Sequence, residues 1–270
     1  MCNNLVYVDG SAYTDYSLET AIWAAGRLNT GITVLHVVPD RYDDIADHTG
    51  VIGIQARPAL KAKLASLAQI ENQVAQERGE LILDYAQNYL HERGYSGVMH
   101  HKRGDLASVI QSYKTAPIIF LGKHGATPVW DATLVRVARN LQSPLYLVSR
   151  HNYVVKNFLI GYDGSPHSDK AIEFVCTSPL LKHYICHIIG IDTNKQAFDN
   201  AVKRLQRANY SVIASYQTAT TAISAIIQAY SVDNKIDLLV LGYYSGIRQL
   251  LFGSTAIQLI KTSDRPVMLL

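Results

Sequence analysis

Residues 241–260, LGYYSGIRQLLFGSTAIQLI, place glycines at 242, 246 and 253, the last followed by Ser254 and Thr255. The apolar run ahead of Gly242 reads as a strand. The residues after Gly253 read as a helix with Ala256, Ile257 and Ile260 on one face. A glycine-rich turn at a helix start leaves backbone N–H groups unpaired and turns the positive end of the helix dipole toward solvent. Such a turn can hold phosphate oxygens without a lysine, and glycine is needed wherever a side chain would block the approach. Ser254 suits the helix N-cap. Gly-x3-Gly-x6-Gly-Ser matches no general fingerprint, however, and glycines after strands also serve as plain turns. On these residues alone, phosphate cradle and structural loop both stand.

Two carboxylates stand in the same kind of context. Asp9 and Asp163 each follow an apolar run and precede Gly-Ser, where an Asp can serve a ligand or simply accept turn N–H bonds. The histidines suggest zinc less well. His100 and His101 are adjacent on a strand and so point to opposite faces, while His183 and His187 fall in a β-rich stretch without a helical face. His124 ends a strand with nothing beside it in sequence to polarise it, and Ser254 has no base nearby. Tyr13, Tyr85, Tyr89 and Tyr162 read as half-buried packing residues.

These residues recur in a pattern. LVYVDGSAYTD opens the chain and FLIGYDGSPHSD returns at 158–169, so that Asp9 and Asp163 lie 154 residues apart, as do Asp15 and Asp169. APIIFLGKHG (116–125) is matched by IDLLVLGYYSG (236–246), and SPLYLVS (143–149) by RPVMLL (265–270). Each half reads strand, helix, strand, helix, strand and a further strand-like run, which argues for α/β units on a largely parallel sheet. A repeat this long is a duplicated domain. Two domains are expected, 1–150 and 157–270, divided by the polar step RHNYVVK at 150–156.

The first half is longer, with the excess between Asp40 and Gly94. There Leu60, Leu64, Leu67, Ile70 and Val74 follow three- and four-residue steps, and Ile82, Tyr85, Tyr89 and Leu90 resume them after Gly79. A long amphipathic helix, or a helix pair broken near Gly79, is expected. Its stripe should pack inward, with a partner groove as the alternative.

Bulk composition narrows the functional classes. Across 270 residues, 48% are hydrophobic and 17% charged, with a formal charge of +3 and scattered basic residues. A nucleic-acid or anionic-membrane surface is not indicated. No apolar stretch reaches membrane-spanning length, and MCNNLVYVDG has no basic leader or apolar signal core, so a cytoplasmic protein is expected. Cys2, Cys176 and Cys186 lack metal or redox spacing and fit free thiols in a reducing compartment.

Strand-Asp-Gly-Ser, then LG…SG…LLFGST and a closing RPVMLL, in two tandem copies over nearly the whole chain, resembles the universal stress protein family. The resemblance implies two tandem doubly wound α/β domains, each a five-stranded, mainly parallel sheet flanked by helices. This is the adenine-nucleotide alpha-hydrolase-like architecture. It also implies pairing of SPLYLVS with RPVMLL as an internal pseudo-dimer, with a homodimer possible beyond that. One branch of the family binds ATP through G-x-x-G and a later G-Ser/Thr. Carried over, Tyr162 and Asp163 stand where the first strand meets the nucleoside, and Ile191 where backbone meets adenine. Leu241 and Gly242 match the glycine after the fourth strand, Gly246 matches a later loop glycine, and Gly253, Ser254 and Thr255 match the phosphate-binding G-Ser/Thr. The loop is shorter than the family's, and Tyr243 or Tyr244 falls at the second motif glycine.

In the first half Asp9, Val37, Gly122 and Gly125 fit the pattern, but Asp131 replaces the phosphate-loop glycine. A carboxylate there would repel phosphate, so Asp131 is expected to cap a helix and the first half to bind no triphosphate. The resemblance thus implies a non-catalytic stress-response module holding ATP or another adenine nucleotide in its second half. The alternative is the same fold without nucleotide, acting as an interaction scaffold or a binder of another ligand.

Overall fold

The inner strands are short apolar runs buried on both faces, as a parallel sheet covered by helices requires. In the computed structural model, which describes residues 2–39, 57–125, 130–140, 142–150, 154–242 and 254–270, each half of the chain alternates between strand and helix. The first half runs β1 (Asn3–Tyr7), α1 (Thr14–Leu28), β2 (Gly31–Val38), α2 (Arg57–Glu92), β3 (Gly97–Arg103), α3 (Leu106–Gln111), β4 (Ile119–Gly122), α4 (Trp130–Asn140) and β5 (Leu145–Val148). The second repeats it: β6 (Asn157–Tyr162), α5 (Pro166–Thr177), β7 (Ile185–Ile191), α6 (Lys195–Arg207), β8 (Val212–Gln217), α7 (Ile223–Asp233), β9 (Leu238–Leu241), α8 (Ser254–Thr262) and β10 (Val267–Leu269).

The strands form one ten-stranded sheet in the order β3-β2-β1-β4-β5-β10-β9-β6-β7-β8. Every neighbouring pair is parallel except β5 and β10 at the centre, which are antiparallel with Leu145 opposite Leu269, Tyr146 opposite Met268 and Leu147 opposite Val267. The closing strands of the halves therefore pair within one chain, as expected. Two apolar layers cover the sheet. One includes Phe120, Tyr146 and Phe158, and the other includes Leu121, Leu147 and Leu239. Polar contacts also join the halves. Lys123 Nζ donates to Ser263 O at 2.7 Å, Trp23 Nε1 donates to the Tyr184 hydroxyl at 3.1 Å, and Arg27 Nε donates to Leu180 O at 3.1 Å.

Helix ends follow local chemistry. Ser165 caps α5 by accepting from Ser168 N at 3.2 Å, with Pro166 in the first turn, and Asn194 caps α6 by accepting from Ala197 N at 3.0 Å. Asn29 ends α1 in the left-handed region, φ 52°. Asp131 is the second residue of α4 rather than its expected cap. Ser254 is the first residue of α8, within a residue of the expected cap.

The long insertion is one continuous helix, not a broken pair. α2 runs antiparallel to β3: Leu90 lies against Gly97, Gly79 against His101, and Asn72 accepts from Arg103 at the strand's end. The residues from Arg57 to Glu71 therefore reach roughly 22 Å past the sheet. After Gly79 the helix packs through Leu83, Ala86 and Leu90. Before it, Leu67, Ile70 and Val74 are exposed, so the expected inward packing of that stripe fails.

Candidate functional site

In the second half, β6, β7 and β9 lie side by side in register, Gly161 beside both Ile189 and Leu241. Their carboxyl ends bring Asp163, Ile191 and Gly242 to one edge of the sheet, where ligands of open α/β sheets bind. Asp163 Oδ1 accepts from Ser165 N at 2.9 Å, and Gly164 takes φ +77°, which only glycine adopts freely. Burial would push the Asp163 carboxyl up, but hydrogen bonds from Ser165 and Ser168 outweigh it and hold the group below the usual carboxylate range.

Beside this turn stands Thr193, which carried no motif. Its Oγ1 is buried without a hydrogen-bond partner among the described residues, and a Cβ on Gly164 would lie 2.8 Å from it. Tyr216 fixes the backbone there by donating its hydroxyl to Thr193 O at 2.6 Å. Asp192 Oδ1 accepts from Ala219 N at 3.0 Å, tying the next connection to the same edge. A buried hydroxyl left unpaired is costly, so Thr193 Oγ1 has hydrogen-bonding capacity to spare beside the turn.

Two expected site residues also have packing roles. The Tyr162 ring is buried in the helix layer and its hydroxyl donates to Asp169 Oδ1 at 3.3 Å, so only its backbone is at the sheet edge. Gly242 is glycine because the backbone of His167 and Ser168, at the start of α5, would lie 2.4–2.5 Å from a Cβ. Ile191 and Leu241 are buried at the strand ends. Ser254 and Thr255 open α8, whereas Gly246, Gly253, Tyr243 and Tyr244 lie outside the described residues.

The first half repeats the turn but fills the hollow. Asp9 Oδ1 accepts from Ser11 N at 2.9 Å and Gly10 takes φ +72°, matching the second copy. There Tyr13 is buried over Gly122, its Cβ 2.7 Å from where a Gly122 Cβ would stand. Its ring is 5.9 Å from that of His124, and the Arg150 guanidinium lies 5.4 Å from its centroid. What remains is a shallow cleft of about 170 Å³ between Asp9, Ser11, Thr14, Ser17 and His124.

The histidines separate as strand geometry demands. His100 Nδ1 meets the Tyr113 hydroxyl at 2.6 Å on one face, while the His101 ring packs edge-on against His36, centroids 5.0 Å apart, on the other. His187 Nδ1 meets the Tyr230 hydroxyl at 3.0 Å. Among the described residues no group of three or more His, Cys, Asp or Glu could hold a metal ion, and no helix is long and apolar enough to cross a membrane.

Comparison with known proteins agrees with the duplicated sheet. A profile described as the universal stress protein family matches residues 3–148. The chain is 30% identical over 286 aligned positions to universal stress protein Slr1230 of a Synechocystis species, covering 99% of each chain. The chain belongs to the universal stress protein family. Among solved structures, a universal stress protein from Archaeoglobus fulgidus superposes with a TM-score of 0.70 at 18% identity, covering 100% of this chain and 98% of that one. A functionally unknown Pseudomonas aeruginosa protein, PA1789, gives 0.60 at 14% identity, covering 100% and 92%. At these identities the structural matches speak for the fold. It is the tandem universal stress protein arrangement, with its two closing strands paired inside one chain.

Proposed function

We propose that this universal stress protein is a cytoplasmic, non-catalytic stress-response module that binds an adenine nucleotide, ATP or a relative, in its second half. The observation that carries the reading is the open Gly164 turn beside the buried Thr193 Oγ1, which has no partner among the described residues, at the edge where Asp163 and Ile191 lie. The first half also holds Thr14 Oγ1 and Ser17 Oγ unpaired among the described residues, but there Tyr13 closes over Gly122. A buried hydroxyl and a turn stripped of its Cβ fit the nucleoside end of such a ligand. The phosphates would rest on backbone N–H groups at the start of α8, by the logic of the Gly253-Ser254-Thr255 stretch. Asp163 is committed to its own turn through Ser165, which makes it a poor general base and supports binding over turnover.

The first half acts as a structural repeat, its hollow taken by Tyr13. Titration calorimetry with ATP should find one site per chain. Gly253→Val should abolish it by blocking the phosphate approach, while Asp131→Gly should leave the stoichiometry unchanged. A stoichiometry of two, or heat that survives Gly253→Val, would refute the assignment to the second half.

A further inference from the structure

Lys123 is a buried lysine, and lysines are almost never buried without a partner. It follows Gly122 at the end of β4, where its backbone N donates to Val148 O at 2.9 Å and extends the β4–β5 pairing. Its side chain crosses to the other half, where Nζ donates to Ser263 O at 2.7 Å. Ser263 N in turn donates to Leu259 O at 3.0 Å, the bond that closes the last turn of α8. The final carbonyls of a helix have no donor within it and carry its negative end. Lys123 therefore supplies, from the first half, a donor that the end of a second-half helix needs.

The body of α8 is held by its own half. Leu259 and Ile260 are buried, Ser224 Oγ of α7 donates to Gln258 Oε1 at 2.8 Å, and Gln228 of α7 donates to Thr262. Beyond Ser263, Arg265 Nε donates to Ile236 O at 2.6 Å and fixes the turn into β10. The contact from Lys123 is one-sided. The repeat matches Gly122 to Gly242, and the residue after Gly242 is Tyr243, so that position offers no lysine to α4 in return.

We propose that Lys123 is a positioning residue for the nucleotide, holding the end of α8 so that its start keeps a fixed grip on phosphate. The inference rests on the nucleotide reading above. With nine residues, α8 is about 13.5 Å long, short enough to move as one piece, so fixing one end fixes the other. A cation at the C-terminal end also complements the dipole that phosphate would complement at the N-terminal end. The first half thereby acts on the affinity of the second, a coupling between distinct sites.

The charge on the amine makes the coupling depend on pH. Burial brings the Lys123 pKa down to about 7, with Asp264 favouring the ammonium and Arg265 opposing it. In the first half, Arg150 lies over the Tyr13 ring, and His124 packs against that same ring. The ammonium makes the stronger, charge-assisted bond to Ser263 O, so α8 is held more firmly below this pKa than above it.

Titration calorimetry with ATP from pH 7 to 9, above the range where a phosphate takes up its last proton, tests this. Wild-type affinity should fall about fivefold as pH rises across the window. Lys123→Met should bind at least about fivefold more weakly at pH 7, with a flat profile. Lys123→Gln, which donates without titrating, should bind more tightly than Lys123→Met and should also be flat. Hydrogen exchange should speed up at amides 259–263 of Lys123→Met, while α7 keeps its wild-type protection. A wild type that binds no ATP overturns the nucleotide reading and this inference together. Lys123→Met with wild-type affinity, or with the wild-type pH slope, overturns this inference alone.

Discussion

Thr193 Oγ1 lies 2.8 Å from the point where a Cβ on Gly164 would stand, and it has no hydrogen-bond partner among the described residues. The missing side chain and the unpaired hydroxyl belong to one feature. Thr193→Val deletes a hydroxyl that the ligand-free fold must bury at a cost of about 1–3 kcal/mol. The variant should melt at the same or a higher temperature than the wild type without ligand, yet lose most of the rise that ATP produces. Gly164→Ala differs in that it forces a side chain into a left-handed φ and against Thr193, so it should cost roughly 1–3 kcal/mol and weaken ATP as well. Thermal melts with and without ATP check both.

Lys123 connects the halves from a buried position, 4% exposed, with Nζ donating to Ser263 O. Burial pulls its pKa from 10.5 down to about 7, opposed by Asp264 and reinforced by Arg265. Between about pH 7 and 10.5 the unfolded chain keeps a proton that the folded chain has released. Stability contributed at this site therefore rises with pH across that window, by on the order of 5 kcal/mol in full. Urea unfolding in the alkaline range should show Lys123→Met with a flatter stability profile than wild type. Parallel profiles would show that the lysine does not carry this dependence.

His36 provides the acid counterpart. Burial, then the neighbouring His101, lower its pKa from 6.5 to about 4, with Asp9 opposing and Arg78 adding to the effect. As pH falls from about 6.5 toward 4 the unfolded chain takes up a proton that the folded chain refuses, so about 3 kcal/mol of stability is lost. His36→Leu should remove much of that loss, as read from unfolding at pH values on either side of the window.

Gly79 explains how closely the histidines are held. A Cβ there would stand 2.3 Å from His101 Nε2 and 2.6 Å from His36 Nδ1. An alanine in mid-helix normally gains about 1 kcal/mol over glycine. Here the overlap costs more, about 1–3 kcal/mol, so Gly79→Ala should destabilise α2, as chemical unfolding would show.

Much of this was legible in the chain itself. The repeated Asp-Gly-Ser predicted the same turn twice, and Asp9 and Asp163 make it with matching 2.9 Å bonds and left-handed glycines. The edge strands were harder to read. β3 (GVMHHKR) and β8 (VIASYQ) carry polar residues because the sheet's margins face water, which hides them from a search for apolar runs. Thr193 was invisible because its role arises only when the Gly164 turn approaches it from another strand. Tyr13 read correctly as a packing residue, but the hollow it fills is set by Gly122, more than a hundred positions away. The stripe of α2 has the same periodicity whether it meets a sheet or another helix. The position of Asn72 at the end of β3 shows that the earlier turns run past the sheet of the described residues.

Photo-cross-linking with an azido-adenine nucleotide, followed by peptide mapping, tests the central claim most directly. The label should fall on peptides carrying Asp163 or Ile191–Thr193, should be competed away by ATP, and should drop sharply in Thr193→Val. Labelling confined to the Asp9–Ser17 region, or no labelling that ATP can displace, would contradict a nucleotide site in the second half.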